Sequence, residues 1–157
     1  MRVAGRRWTY LYRAVDSSGA TIDFFLSENR HVSAARTFFH KALAAPNHPR
    51  PRVINVDGNP SYPKVITELK KSGELERRCR CRPVSYLNNI VEQDHRAIKR
   101  RVRASQGFRS FQSARRTIQG IEMMNIIRKG QIRWLAKGAI AGQVAFVSGL
   151  FGLASPA

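Results

Sequence analysis

Hydrophobic positions along this chain alternate at first, then recur every three or four residues, and the change of period divides the sequence into elements. Trp8 to Val15 is aromatic and β-branched, Asp16 to Gly19 carries turn residues, and Thr21 to Leu26 supplies a return strand, so the chain opens with a hairpin. Ala35, Phe38, Phe39 and Leu43 then give an apolar side to a helix from about Val32 to Ala45. Pro46 to Pro51 is a loop, and Val53 to Val56 reads as a short buried strand that ends at Asp57-Gly58. A helix from Ser61 to Lys71 is stopped by Gly73. Leu75 to Cys81 is predicted as a further strand, although it contains arginines.

Pro83 opens a loop to a helix that begins near Asn89 and runs to about Arg103. A longer helix follows from Phe111 to Lys129, with Ser110 as its cap and Gly130 as its stop. Ala114, Ile118, Ile121, Met124 and Ile127 recur along it as a core-facing stripe. From Gly138 to Ala157 no residue is charged. That run contains glycines and a proline and sits at the short limit for a membrane span, so a tail helix that packs on the domain or on a partner is expected. The strands and helices together predict an α/β fold in one domain of 157 residues, with 43% hydrophobic residues to fill a core. Residues 1–130 form the core of this reading and 131–157 its apolar tail.

Charge narrows the class of partner. The chain has 28 Lys and Arg against 10 Asp and Glu, a net charge of +18. Between Arg77 and Lys137 stand 16 basic residues and three acids, Glu92, Asp94 and Glu122. Arginine forks match phosphate geometry, and concentrated positive charge attracts nucleic acid. Cys79 and Cys81 are too few for a four-ligand zinc site and read as reduced packing residues of a cytoplasmic protein. No signal-peptide pattern and no Gly-rich phosphate loop is apparent.

Within so basic a background, carboxylates stand out. Asp57 lies at a strand end and Glu92 on a helix. Lys99 follows Glu92 by seven residues, two turns on and only about 20° round the helix. An Asp, a Glu and a basic residue so placed can hold a metal ion beside a phosphate. Each has a plainer explanation: Asp57-Gly58 as a turn, Asn89 with Glu92 as a capping box, Glu92 with Arg96 as a helix ion pair. Asp16 and Asp23 are further acids, read respectively as a turn former and a solvent-facing strand residue. His95, one turn after Glu92, could touch DNA or a metal, or be a solvated or hydrogen-bonded helix histidine.

The stretches WTYLYRAVD, VINVD, YLNNIVEQDHRAIKRRV and GFRSFQSARRTIQGIEMMNIIRKGQ, with the RWLAKG that follows, resemble the catalytic domain of bacterial insertion-sequence transposases of the IS-six family. The resemblance implies a ribonuclease-H-like, integrase-type mixed sheet flanked by helices, with strand order 3-2-1-4-5. It implies a DDE triad in which Asp57 is the second carboxylate and Glu92 the third, both of them metal ligands. Lys99 would contact the transposon end, with Arg96, Arg100, Arg103 and His95 as further DNA contacts. The implied cofactor is Mg²⁺ or Mn²⁺, two ions clamping an in-line displacement at phosphorus. The implied partners are transposon-end and target DNA and further copies of the protein, or an intact transposase; a membrane is not among them.

The family pattern places the first aspartate in a strand just ahead of WTYLYRAVD, which here falls a few residues before Met1. The first central strand, of which Arg2 to Ala4 would remain, is therefore expected to be largely missing. The chain is expected to be an N-terminally truncated copy without cleavage activity. Two other readings stand beside it: a non-catalytic remnant that binds DNA and pairs with or inhibits an intact transposase, and an unrelated basic nucleic-acid-binding protein.

Overall fold

The computed structural model describes residues 2–3, 7–46, 48–84, 89–104 and 108–153. They form a mixed α/β structure in the order β1 (Arg2–Val3), β2 (Arg7–Trp8), β3 (Tyr10–Val15), β4 (Thr21–Ser27), α1 (Val32–Leu43), β5 (Val53–Val56), α2 (Ser61–Lys71), β6 (Arg80–Pro83), α3 (Asn89–Ala104), α4 (Phe111–Arg128) and α5 (Ile140–Leu150). The chain divides into two compact units, Met1–Ala114 and Arg115–Ala157.

In the first unit the hairpin forms as the alternation predicts, with Tyr10 opposite Ser27 and Arg13 opposite Phe24. The Asp16 carboxylate makes its turn, accepting hydrogen bonds from the Ser18 and Ala20 amides, both at 2.9 Å. Asp23 departs from expectation. It is turned toward α1, where Lys41 Nζ reaches it at 2.8 Å, because a strand face covered by a basic helix can pair an acid rather than expose it.

β5 and β6 pair in parallel, Val53 opposite Arg80 and Val56 opposite Pro83. Three two-stranded sheets result among the described residues, β1 with β2, β3 with β4, and β5 with β6, in place of one five-stranded sheet. Arg2–Val3 folds back on Arg7–Trp8 instead of lying between the hairpin and β5. With a single partner strand, β5 is less buried than its apolar composition suggests: Val53 is exposed and only Val56 is fully covered.

The predicted strand from Leu75 to Cys81 begins five residues later. Leu75 is used to close α2, its amide bonding to the Leu69 carbonyl at 3.0 Å, after Gly73 takes φ +81°. Leu75 and Cys79 are instead core residues of the turn. The core of this unit joins Tyr12, Ala35, Phe38, Phe39, Val56, Val65, Ile66, Leu69, Leu75 and Cys79, so α1 and α2 pack together over the hairpin and the parallel pair. Ile66 and Leu69 are at most 2% exposed, and full burial of such side chains stabilises by roughly 1.5–3 kcal/mol each. Arg36 with Glu68 ties the two helices at their exposed edge, and His40 with Glu74 ties α1 to the turn that follows α2. Cys79 and Cys81 are free thiols, and burial raises both above the usual range, as packing residues require.

α4 opens with reciprocal bonds between Ser110 and Ser113, the cap the sequence places there. Ala114, Ile118 and Ile127 of its expected stripe are buried, but Met124 is exposed and Glu122 and Asn125 are buried instead. In the second unit α5 buries no residue. No helix among them is long and apolar enough to cross a membrane.

Candidate active site

Asp57 leaves β5 into a chain of side-chain turns. Its Oδ1 accepts the Asn59 amide at 2.9 Å, and Asn59 Oδ1 in turn accepts the Ser61 amide at 3.1 Å, which starts α2. These bonds hold an exposed carboxylate at the carboxyl end of the strand without burying it. Around it stand Tyr62, Tyr12 and Arg30, whose charges or dipoles feel one another. Burial first, and the Asp57 carboxylate second, push the Tyr62 hydroxyl well above its usual range, so it stays a protonated donor. Tyr12 is raised by burial too, and its ring meets that of Tyr62 edge-on at 6.2 Å. No sequence pattern joins these two tyrosines and Arg30, because they come from α2, β3 and the β4–α1 link and converge only in the fold.

Glu92 is in the first turn of α3, where an acid also complements the helix dipole. The helix packs against β3. Ile98 and Val102 are buried on that side. Between them and the exposed surface sits His95, three residues after Glu92 and four before Lys99. Its Nε2 is sealed from solvent, and its ring is hydrogen-bonded to the Leu11 backbone. Burial, then the positive charges of Arg13 and Lys99, lower its pKa to about 4, against the opposing pull of Glu92 and of the Leu11 bond. The ring is therefore neutral at pH 7 and fastens α3 to β3, which matches the hydrogen-bonded reading of this residue.

At 100° per residue, Glu92, Arg96, Lys99 and Arg103 fall within about 60° of one another on α3. All four are exposed. Arg100 is exposed as well, farther round the helix. One carboxylate and three cations thus share a strip next to the His95 anchor. The capping-box alternative for Asn89 concerns a side chain outside the described residues.

Asp57 and Glu92 have separate sets of neighbours, and β3 contributes to both, Tyr12 to the first and Arg13 to the second. Among the described residues no three His, Cys, Asp or Glu side chains gather where a metal ion could sit. The chemistry of the donors still suits a hard cation, since both are exposed carboxylates, whereas the Nε2 of His95 is sealed from solvent.

Known proteins supply the remaining comparison. A family model described as a DDE domain matches residues 1–131. The transposase for the insertion sequence-like element IS431mec of Staphylococcus aureus (strain Mu50) is 34% identical over 129 residues, 82% of this chain and 55% of its own. The Staphylococcus aureus transposase for insertion sequence element IS257 in transposon Tn4003 matches to the same extent. An uncharacterized protein of Yersinia pseudotuberculosis is 38% identical over 81 residues, 51% of this chain and 75% of its own. The chain spans about half the length of the curated transposases it matches. No solved structure matches.

Proposed function

The chain belongs to the DDE transposases of the IS-six family, and from that premise we propose that it is the strand-cutting core of an insertion-sequence transposase, acting on DNA in the cytoplasm. The observation that carries the proposal is the exposed α3 strip, where Glu92 stands among Arg96, Lys99 and Arg103. A field of cations alone needs no acid, since a carboxylate repels phosphate; one acid within such a strip suits a metal that bridges carboxylate and phosphate. The proposed fold is the ribonuclease-H-like one, to which the β3–β4 hairpin and the parallel β5–β6 pair each contribute two strands.

Asp57 and Glu92 are the proposed ligands of Mg²⁺ or Mn²⁺ in residues 1–130. When bound, such ions polarise the scissile phosphate and make the attacking water or 3′-hydroxyl more acidic. The chain's own residues do the rest. The Asn59 amide holds one oxygen of Asp57 and so sets the direction of the other. His95 fixes the rotation of α3, and with it the side on which Glu92 and Lys99 emerge. Lys99, Arg96 and Arg103 hold the backbone of the transposon end, and Arg100 reaches phosphates farther along.

The test is nicking of a labelled duplex by a hybrid in which these 157 residues replace the matching segment of one of the Staphylococcus aureus transposases. We expect Mn²⁺-dependent nicking by this hybrid, lost with Asp57→Asn or with Glu92→Gln. Full cutting by either variant would overturn the proposal. A non-catalytic role beside an intact transposase, as partner or inhibitor, would appear as DNA binding without cutting in every form tested.

A further inference from the structure

α4 ends in a turn that closes on itself. Gly130 takes φ +70° and lies so close to Lys137 that a Cβ there would stand 2.4 Å from the Lys137 amide nitrogen. Between these two points the chain makes a four-residue turn, with Ile132 and Leu135 paired and the Leu135 amide bonded to the Ile132 carbonyl at 3.1 Å. Leu135 is buried, with its side chain where a Cβ added at Gly142 of α5 would meet it, and the Gln143 side chain bonds to the Ala136 carbonyl at 3.0 Å. The turn is thus held at its entry, its base and its exit.

Its third residue is Trp134, with φ +72°. That position asks for glycine, and a bulky side chain there is an outlier that the surrounding bonds must enforce. Nothing is gained for the core in return, because Trp134 is 87% exposed. The Arg133 guanidinium lies over the indole, 4.4 Å from its centre. Strain of this kind is kept where a side chain must be presented. The charge around it names the class of ligand. The unit Arg115–Ala157 carries six basic residues and a single acid, Glu122, which is fully buried. Its exposed charge is all positive, which suits a polyanion.

We infer that Trp134, with Arg133 across one side, is a stacking site for an unpaired base of single-stranded DNA. Every base has a π-face that can stack on an indole, and a neighbouring guanidinium adds cation–π attraction and a phosphate contact. The inference rests on the reading of the protein as DNA-binding and adds a site to it.

Trp8 is the other tryptophan of the chain, so a Trp8→Phe protein reports on Trp134 by fluorescence. A single-stranded oligonucleotide should quench this emission, and an abasic strand of the same length should not. Trp134→Asn keeps a residue that tolerates the left-handed backbone. It should weaken single-strand binding by about 5-fold to about 150-fold, while leaving binding to a blunt-ended, fully paired duplex within about twofold. Trp134→Tyr should restore most of the loss. Equal quenching by the abasic strand, or equal weakening for both DNAs, would overturn the inference. A silent Trp134 in a protein whose duplex binding falls steeply with salt would overturn this inference alone. Failure to bind any DNA at low salt would overturn the DNA reading with it.

Discussion

Acid should loosen the helix that carries Glu92, and His95 is the reason. In the unfolded chain this histidine takes up a proton near pH 6.5; in the fold, burial and the charges of Arg13 and Lys99 delay that to about pH 4. Between those values the unfolded state binds more protons than the folded one, so stability falls as pH drops from 6.5 and levels off below about 4. The full difference is on the order of 3 kcal/mol. Over a domain whose whole stability is typically 5–15 kcal/mol, that is a visible share. His95→Gln keeps a donor for the Leu11 backbone and removes the titration. Urea unfolding of both proteins from pH 7.5 to pH 4 cancels the carboxylates they share. The stability of the wild type relative to the variant should fall by about 3 kcal/mol on that path. A constant gap, or an NMR titration of the His95 ring centred near pH 6.5, would refute the buried, neutral anchor.

Gly130→Ala should lower the unfolding temperature of the second unit, since the left-handed backbone alone costs a side chain about 1–2 kcal/mol and its Cβ would strike the Lys137 backbone; an unchanged melting curve would contradict the close approach. Ile66→Ala, at a site 1% exposed, should cost about 2–5 kcal/mol in chemical unfolding, and a loss below about 1 kcal/mol would mean that the core is loosely packed there. Lys99→Ala should reduce the salt dependence of duplex binding by about 0.9 in log–log slope. Lys41→Ala should change it little, because the Lys41 ammonium is already held by Asp23 and the Phe24 carbonyl. Equal losses at the two positions would mean a diffuse field in place of a Lys99 contact.

Local pattern carried the helices well and the strands less well. α2 was legible to both ends because Gly73 must follow it, and the hairpin because Asp16 makes its turn from its own neighbours. β6 was legible as a strand but with misplaced bounds, since its partner is β5, more than twenty residues away, and nothing in Arg80 to Pro83 marks where the pairing begins and ends. Asp23 was misjudged for a similar reason: alternation says which side of a strand a residue takes, but not what covers that side. On α4 the buried Glu122 and exposed Met124 reverse the hydrophobic pattern, so periodicity alone misassigned them. Asp57, Glu92 and Lys99 were visible as acids and a base in a basic chain. The anchoring of His95 on Leu11 was not visible, because it depends on a helix meeting a strand more than eighty residues earlier. Trp134 sat in plain view between Gly130 and Gly138, yet only its φ and exposure show that it is presented.

The central claim is that Asp57 and Glu92 hold one metal site, and iron-directed cleavage of the polypeptide tests it most directly. Fe²⁺ takes the place of Mg²⁺ in the hybrid transposase that carries these 157 residues, and ascorbate with peroxide then generates hydroxyl radicals at the bound ion. Two cuts are expected, one near residue 57 and one near residue 92, both suppressed by excess Mg²⁺ and both lost with Asp57→Asn or with Glu92→Gln alone. A cut near only one of the two, or a cut near residue 57 that persists unchanged in Glu92→Gln, would contradict it.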